Sequence, residues 1–295
     1  MEKQATAQKG SRNDVYSIIN DRMLEQLKNG IIPWRVSWQK GGLPTNLISK
    51  KQYKGINAIL LGMMEYEKNL FLTENQLATI GASILPNEKP HTVAYWNSKD
   101  AVSGTDKKTG ALGYYKVYNV SQCAGISPEH LSEQSVYTDP IATCERIVAA
   151  MPNRPGIKHK EPKAYYNPVS DIVNMPKRTT YSTDEEYYVT LLHLLTHSTG
   201  HCTRLDRMGL VQMTELGYPS CSLEELVAEI ATGYLQSFSG IEKVVEYAGL
   251  NAADWAVELE KNKYLIFTAC TLSIKAIDFI LGTQDGTENV PVEEE

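Results

Sequence analysis

The chain has 295 residues, 42% of them hydrophobic and 22% charged, with a net charge of −6. That length fits two ordinary domains, and the absence of any apolar run near the ~20 residues of a membrane-spanning helix excludes a membrane class and predicts a soluble protein. Five cysteines, at 123, 144, 202, 221 and 270, contain no CxxC pair and are odd in number, which excludes a disulfide framework or a cysteine-built zinc site and predicts reduced, buried thiols.

Along the chain, MEKQATAQKGSRND is polar and lacks the apolar core of a secretory signal, so residues 1–12 are expected to be a flexible tail and the protein cytoplasmic. Asp14 to Asn29 places Val15, Ile18, Ile19, Met23, Leu24 and Leu27 at helical spacing, with Asn13 as a cap and Gly30 as a stop. The following IIPWRVSWQKGGLPTN, with two prolines and two glycines, predicts an ordered loop. Helices are expected over Ile56–Tyr66 and over Thr73–Ile80, the second capped by Thr73. Thr92–Trp96 and Gly113–Val120 are rich in β-branched and aromatic residues and flank SGTDKKTGALG, which predicts a β-hairpin with a basic loop. Residues 126–140 look like an interdomain connection. Beyond it the patterns predict a helix over Ile141–Ala150, a strand near 163–168, helices over 183–199, 222–237 and 260–281, and an acidic tail over 284–295. The organisation is thus expected as an N-terminal domain over 13–125 and a C-terminal domain over 141–283.

Charge is split between these halves. Residues 1–125 hold 16 lysines and arginines against 10 acidic residues, whereas the remainder holds 13 against 25. A basic front half can meet nucleic acid that an acidic back half would repel. The front half also interleaves aromatic and cationic residues: Trp34, Arg35 and Trp38; Lys50, Lys51, Tyr53 and Lys54; Tyr114, Tyr115, Lys116 and Tyr118. Bases stack on the first kind and phosphates pair with the second, which suits a nonspecific single-strand binder; the same pattern also fits buried aromatics with solvated lysines at their edges. Asn57, Asn119 and Gln122 either hydrogen-bond bases or cap loops.

The back half concentrates three of six histidines into nine residues, at 193, 197 and 201. Positions i and i+4 share a helix face, so His193 and His197 can present nitrogens to one metal ion. Ser182 with Glu185, or Thr183 with Glu186, has capping-box spacing for the start of that helix, and Gly200 supplies its stop. A carboxylate from a second helix commonly completes such a site. Glu225 and Glu229 lie one helical turn apart in SLEELVAE; Glu225 is expected as the ligand, with Glu229 orienting a ligating histidine. His201 is a rival third ligand if the helix runs on through Gly200. In an HExxH protein the residue after the first histidine is the glutamate that accepts a proton, and here it is Leu194. No residue is therefore assigned as catalytic, and loss of a positioned base typically costs on the order of 10² to 10⁴ in rate.

With IIPW at 31–34, YKGIN at 53–57, YYKVYNVSQ at 114–122, AYYNPVSDIVNMP at 164–176, HSTGH at 197–201 and EELVAE at 224–229, the chain resembles the ArdC-type antirestriction proteins of mobile, conjugative elements. The resemblance implies an α+β protein of two domains: a small α+β domain that binds single-stranded DNA and a mainly helical zincin-like metallopeptidase domain. Read from the residues themselves, the expected zinc site is His193, His197, Glu225 and Glu229, and the expected DNA contacts are Trp34, Arg35, Trp38, Lys51, Tyr53, Lys54, Asn57, Tyr115, Lys116, Asn119 and Gln122. A protein of the host restriction system is expected as a further partner. Leu194 implies little or no peptidase activity, the alternative being an active metallopeptidase that uses another general base.

Overall fold

A computed structural model describes residues 15–36, 41–97, 111–131, 139–207, 222–242 and 250–283. The predicted caps of Asn13, the basic hairpin loop, Trp38 and both tails lie outside these residues.

In the N-terminal half, the apolar spacing of the first segment makes α1 (Val15–Lys28), which buries Ile19, Met23 and Leu27. The segment expected as a loop holds one helical turn, α2 (Pro33–Val36), and the short strand β1 (Thr45–Asn46). Proline is tolerated at a first helical position because its missing N–H would have no partner there. α3 (Gly55–Gly62) is shorter than predicted, and α4 (Glu74–Thr79) starts at a capping box in which Thr73 and Gln76 satisfy each other's backbone N–H. β2 (Leu70–Leu72) pairs with β5 (Ala111–Asn119), which pairs antiparallel with β4 (His91–Asn97), giving a four-stranded sheet in the order β1-β2-β5-β4. The hairpin register runs from His91 opposite Val117 to Asn97 opposite Ala111. β3 (Ser83–Ile84) and β6 (Cys123–Ala124) form a separate pair.

In the C-terminal half, α5 (Pro140–Ala150) leads to a three-stranded sheet of β7 (Gly156–Lys158), β8 (Tyr165–Asn167) and β9 (Ile172–Asn174), in the order β7-β9-β8. α6 (Asp184–Ser198) is capped by Thr183, whose hydroxyl accepts from the Glu186 N–H, while the Glu186 carboxylate accepts from the Ser182 N–H. α7 (Ser222–Ser239), α8 (Ala252–Lys261) and α9 (Leu265–Leu281) complete the fold. The helix predicted over 260–281 is two elements: Asn262 leaves helical geometry after α8, and Asn251 opens α8 with a capping box that the sequence reading missed. No single helix among the described residues is long and apolar enough to cross a membrane.

The chain is a two-domain α+β protein whose domains share their main core. One cluster of buried residues runs from Ile19, Met23 and Trp34 to Leu226, Trp255 and Ile277. Trp34 meets Trp255 edge-on at 5.6 Å between ring centroids, and Tyr16 meets Phe267 at 4.7 Å. The Gly55 position favours glycine at one such contact: its φ is +56°, and a Cβ there would lie 2.9 Å from Ile274 Cδ1 on α9, which would have to shift. Gly55→Ala is expected to cost about 1–3 kcal/mol, measurable as a lowered denaturant midpoint. Arg204, just past α6, has a fully buried side chain. It donates to the Ser198 and Asn153 carbonyls, to the Asp171 carboxylate and to the Tyr166 hydroxyl, tying the end of α6 to the β8–β9 turn.

The free cysteines differ from the expected uniform burial. Cys144 and Cys270 are buried, Cys123 is half-buried and Cys202 is exposed, because Cys202 sits in the surface turn after α6.

Candidate metal centre

α6 and α7 pack against each other and bring His193, His197 and Glu225 together, with donor atoms from all three within 4.8 Å of one another. His193 Nε2 is 3.1 Å from His197 Nε2, Glu225 Oε1 is 3.4 Å from His193 Nε2, and Glu225 Oε2 is 3.5 Å from His197 Nε2. Donors arranged tetrahedrally around an ion with bonds of ~2.0–2.1 Å stand about 3.3–3.4 Å apart, so the spacing fits one cation.

The outer nitrogens fix the tautomers. Thr232 donates its hydroxyl to the Ala228 carbonyl, which leaves its oxygen to accept from His193 Nδ1 at 3.5 Å. Glu224 accepts from His197 Nδ1 at 3.3 Å. The two Nε2 atoms face each other at 3.1 Å beside the Glu225 carboxylate, an arrangement that requires a proton or a cation between them. Burial opposes protonation of His197, but hydrogen bonds to Glu224 and Glu225 outweigh it and push its pKa up to about 9. Burial pushes His193 down. Burial would raise Glu225, yet hydrogen bonds from both histidines hold it well below the usual carboxylate range.

α7 carries three glutamates in this region, and two of them are taken by arginines. Glu224 accepts from Arg207 Nη2 at 2.6 Å and Nε at 2.8 Å. Glu229, expected beside the metal as an orienting group, instead accepts from Arg35 Nη2 at 2.6 Å, Arg35 Nε at 3.0 Å and Trp34 Nε1 at 2.7 Å. Its oxygens are thus occupied by Arg35 and Trp34, and Glu224 and Thr232 orient the histidines. His201 also stands outside the cluster: the helix stops at Ser198, and His201 Nδ1 bonds Thr203. Leu194 packs in the core with 7% exposure.

The same geometry revises the expected DNA contacts. Trp34 is fully buried and has no ring face to offer a base, and Arg35 is engaged by Glu229. Tyr53 is buried, and Lys54 pairs with Asp278 at 2.6 Å. Asn57 exchanges hydrogen bonds with the Ala94 backbone. Asn119 and Gln122 form a capping box and are buried. Tyr115 is half-buried on the inner face of β5, while Lys51 and Lys116 remain exposed. Beside Lys116 on the outer face of β5 stands Tyr114, 59% exposed.

Comparison with known proteins places this arrangement. Residues 13–120 match the N-terminal domain of the anti-restriction factor ArdC, and residues 142–272 match the zincin-like metallopeptidase family. Crystal structures of antirestriction protein ArdC from plasmid R388, metal-free and Mn(II)-bound, superimpose with a TM-score of 0.71 at 28% identity; the metal-free match covers 90% of this chain and 96% of that one. The chain is an ArdC-type protein. Among its relatives, a DNA primase TraC of Escherichia coli is 31% identical over 89% of this chain, and a second TraC is 29% identical over 90%. The ArdC-type chain spans only 26% and 20% of those two primases. The uncharacterized protein y4eC of Sinorhizobium fredii is 25% identical and matches over 93% of this chain and 94% of its own length.

Proposed function

We propose that this ArdC-type chain is an antirestriction protein of a mobile element that binds single-stranded DNA and holds one divalent cation, zinc or manganese, at His193, His197 and Glu225, with little or no hydrolysis of peptides. The observation that carries the reading is the convergence of His193 Nε2, His197 Nε2 and the Glu225 carboxylate, with donor atoms within 4.8 Å of one another, beside Leu194. A cation there supplies Lewis acidity. Hydrolysis also needs a group that takes a proton, and the neighbouring acids Glu224 and Glu229 are each held by an arginine. The purified chain is expected to bind one zinc or Mn(II) ion per molecule by elemental analysis and to leave a denatured protein uncut. Cleavage that is lost in His197→Ala would overturn the noncatalytic part and establish an active metallopeptidase.

For DNA, the support is the exposed Tyr114 with Lys116 on the same strand face, in the half of the chain where positive charge concentrates. A stacked base contributes about 1–3 kcal/mol. Tyr114→Ala combined with Lys116→Glu is therefore expected to weaken binding of a labelled single-stranded oligonucleotide by tenfold or more and to flatten its salt dependence. An unchanged gel shift would remove this face from consideration.

A further inference from the structure

Glu229 is the most fully desolvated acid in the site region, with no exposed side-chain surface, and its partners come from the other end of the chain. Arg35 approaches with a two-pronged fork at 2.6 and 3.0 Å, and Trp34 adds a third N–H at 2.7 Å. The donors lie on α2, within the residues matched to the ArdC N-terminal domain, and the acceptor lies on α7, within the zincin-like match. Glu229 is one helical turn from Glu225 and three residues from Thr232, so the carboxylate of the cation site, the group that orients His193 and the anchored residue share one helix face.

We propose that Trp34, Arg35 and Glu229 form an interdomain clasp that positions Glu225 against the two histidines, so that cation binding in one domain and docking of α2 from the other are linked. This rests on the cation reading above. A guanidinium fork on a carboxylate tolerates little rotation or sliding, and Glu225 meets His193 and His197 at only 3.4 and 3.5 Å. A turn of α7 that broke the fork would carry Glu225 out of register with both nitrogens. The clasp also removes a charge conflict: Glu225 and Glu229 are like charges at i and i+4, and the Arg35 charge answers Glu229 as Arg207 answers Glu224, while Glu225 faces the two histidines. Linkage is reciprocal, so whatever the clasp does for the cation the cation does for the clasp.

The test uses the full chain and Mn(II) or zinc alone, titrated by calorimetry. Arg35→Met, which keeps bulk and loses the fork, is expected to weaken cation affinity about tenfold to a hundredfold, in the range seen when groups behind metal ligands are removed; Trp34→Phe is expected to weaken it several-fold. Lys54→Met breaks another contact between the halves, the pair with Asp278 on α9, and is expected to leave affinity unchanged. In the wild type, added cation is expected to slow amide hydrogen exchange across residues 33–36, an effect that disappears in Glu225→Gln. Equal affinity in a folded Arg35→Met, or in Trp34→Phe if Arg35→Met does not fold, overturns the clasp. So do equal losses in Lys54→Met, which would mark general destabilisation, and unchanged exchange at α2. A wild-type chain that binds neither ion overturns instead the cation reading on which the clasp rests.

Discussion

Glu225→Gln should abolish tight cation binding while leaving the fold intact. The substitution keeps the volume of the side chain and one carbonyl oxygen, but it removes the negative charge that faces both histidines. Ligand removal is expected to exceed the tenfold to hundredfold loss typical of supporting groups, so a drop of a hundredfold or more in affinity for zinc or Mn(II) is the expected calorimetric result. Circular dichroism should be unchanged, because Glu225 lies at the edge of the core while its neighbours Leu226 and Val227 are buried. Affinity within a few-fold of wild type would mean that the ion, if bound, sits elsewhere.

Arg204→Met should give the largest loss of stability. The guanidinium is buried and satisfies two backbone carbonyls, the Asp171 carboxylate and the Tyr166 hydroxyl. Asp171 is itself 32% exposed, so the cost comes mainly from the acceptors left without a donor, about 1–3 kcal/mol each where they are buried, which for a chain of this size corresponds to a fall in Tm of several degrees. The pH dependence should change as well. Burial pushes Asp171 up, but hydrogen bonds from Arg204 and Tyr166 and the Arg204 charge outweigh it and hold its pKa below the ordinary value. A depressed carboxylate stabilises the fold above its unfolded pKa near 4, and that contribution is lost as pH falls through the folded value. In the variant, the part of the acid destabilisation below about pH 4 that comes from Asp171 should shrink or vanish. A Tm within two degrees of wild type would show that the cluster is dispensable.

What the sequence disclosed follows from how local each signal is. His193 and His197 could be paired because both ride on one helix, and the helix was visible from its period and its Thr183 cap. The strands of the hairpin were visible for a similar reason, since each carries a run of β-branched and aromatic residues. Glu225 and Glu229 occupy the same face of the same helix one turn apart, so the sequence placed Glu225 as the ligand and Glu229 behind a histidine without showing what holds Glu229. What separates them is a tryptophan and an arginine nearly two hundred residues away, and no periodicity reports that. Trp34 and Arg35 were assigned to DNA for the same lack of information: an aromatic beside a cation has the same composition whether it grips a base or a buried carboxylate. Arg207 and Thr232 were missed although the first lies in the segment after the histidines and the second falls two turns beyond Glu225; a search for carboxylates behind histidines does not look for a hydroxyl. Asn57, Asn119 and Gln122 proved to be internal struts, consistent with the rule that buried amides find partners.

The shared core has a consequence for how this protein can be divided. α1 and α2 cover α8 and α7, and α3 lies on α9, so a cut anywhere in 125–140 would strip Met23, Trp34, Trp255 and Ile277 of their cover in a single stroke. Each fragment would emerge with a wide oily flank and a tendency to precipitate, and heat should melt the intact molecule as one cooperative unit rather than in two stages. Gene fusions that borrow only the front portion would need a replacement for the helices it leaves behind.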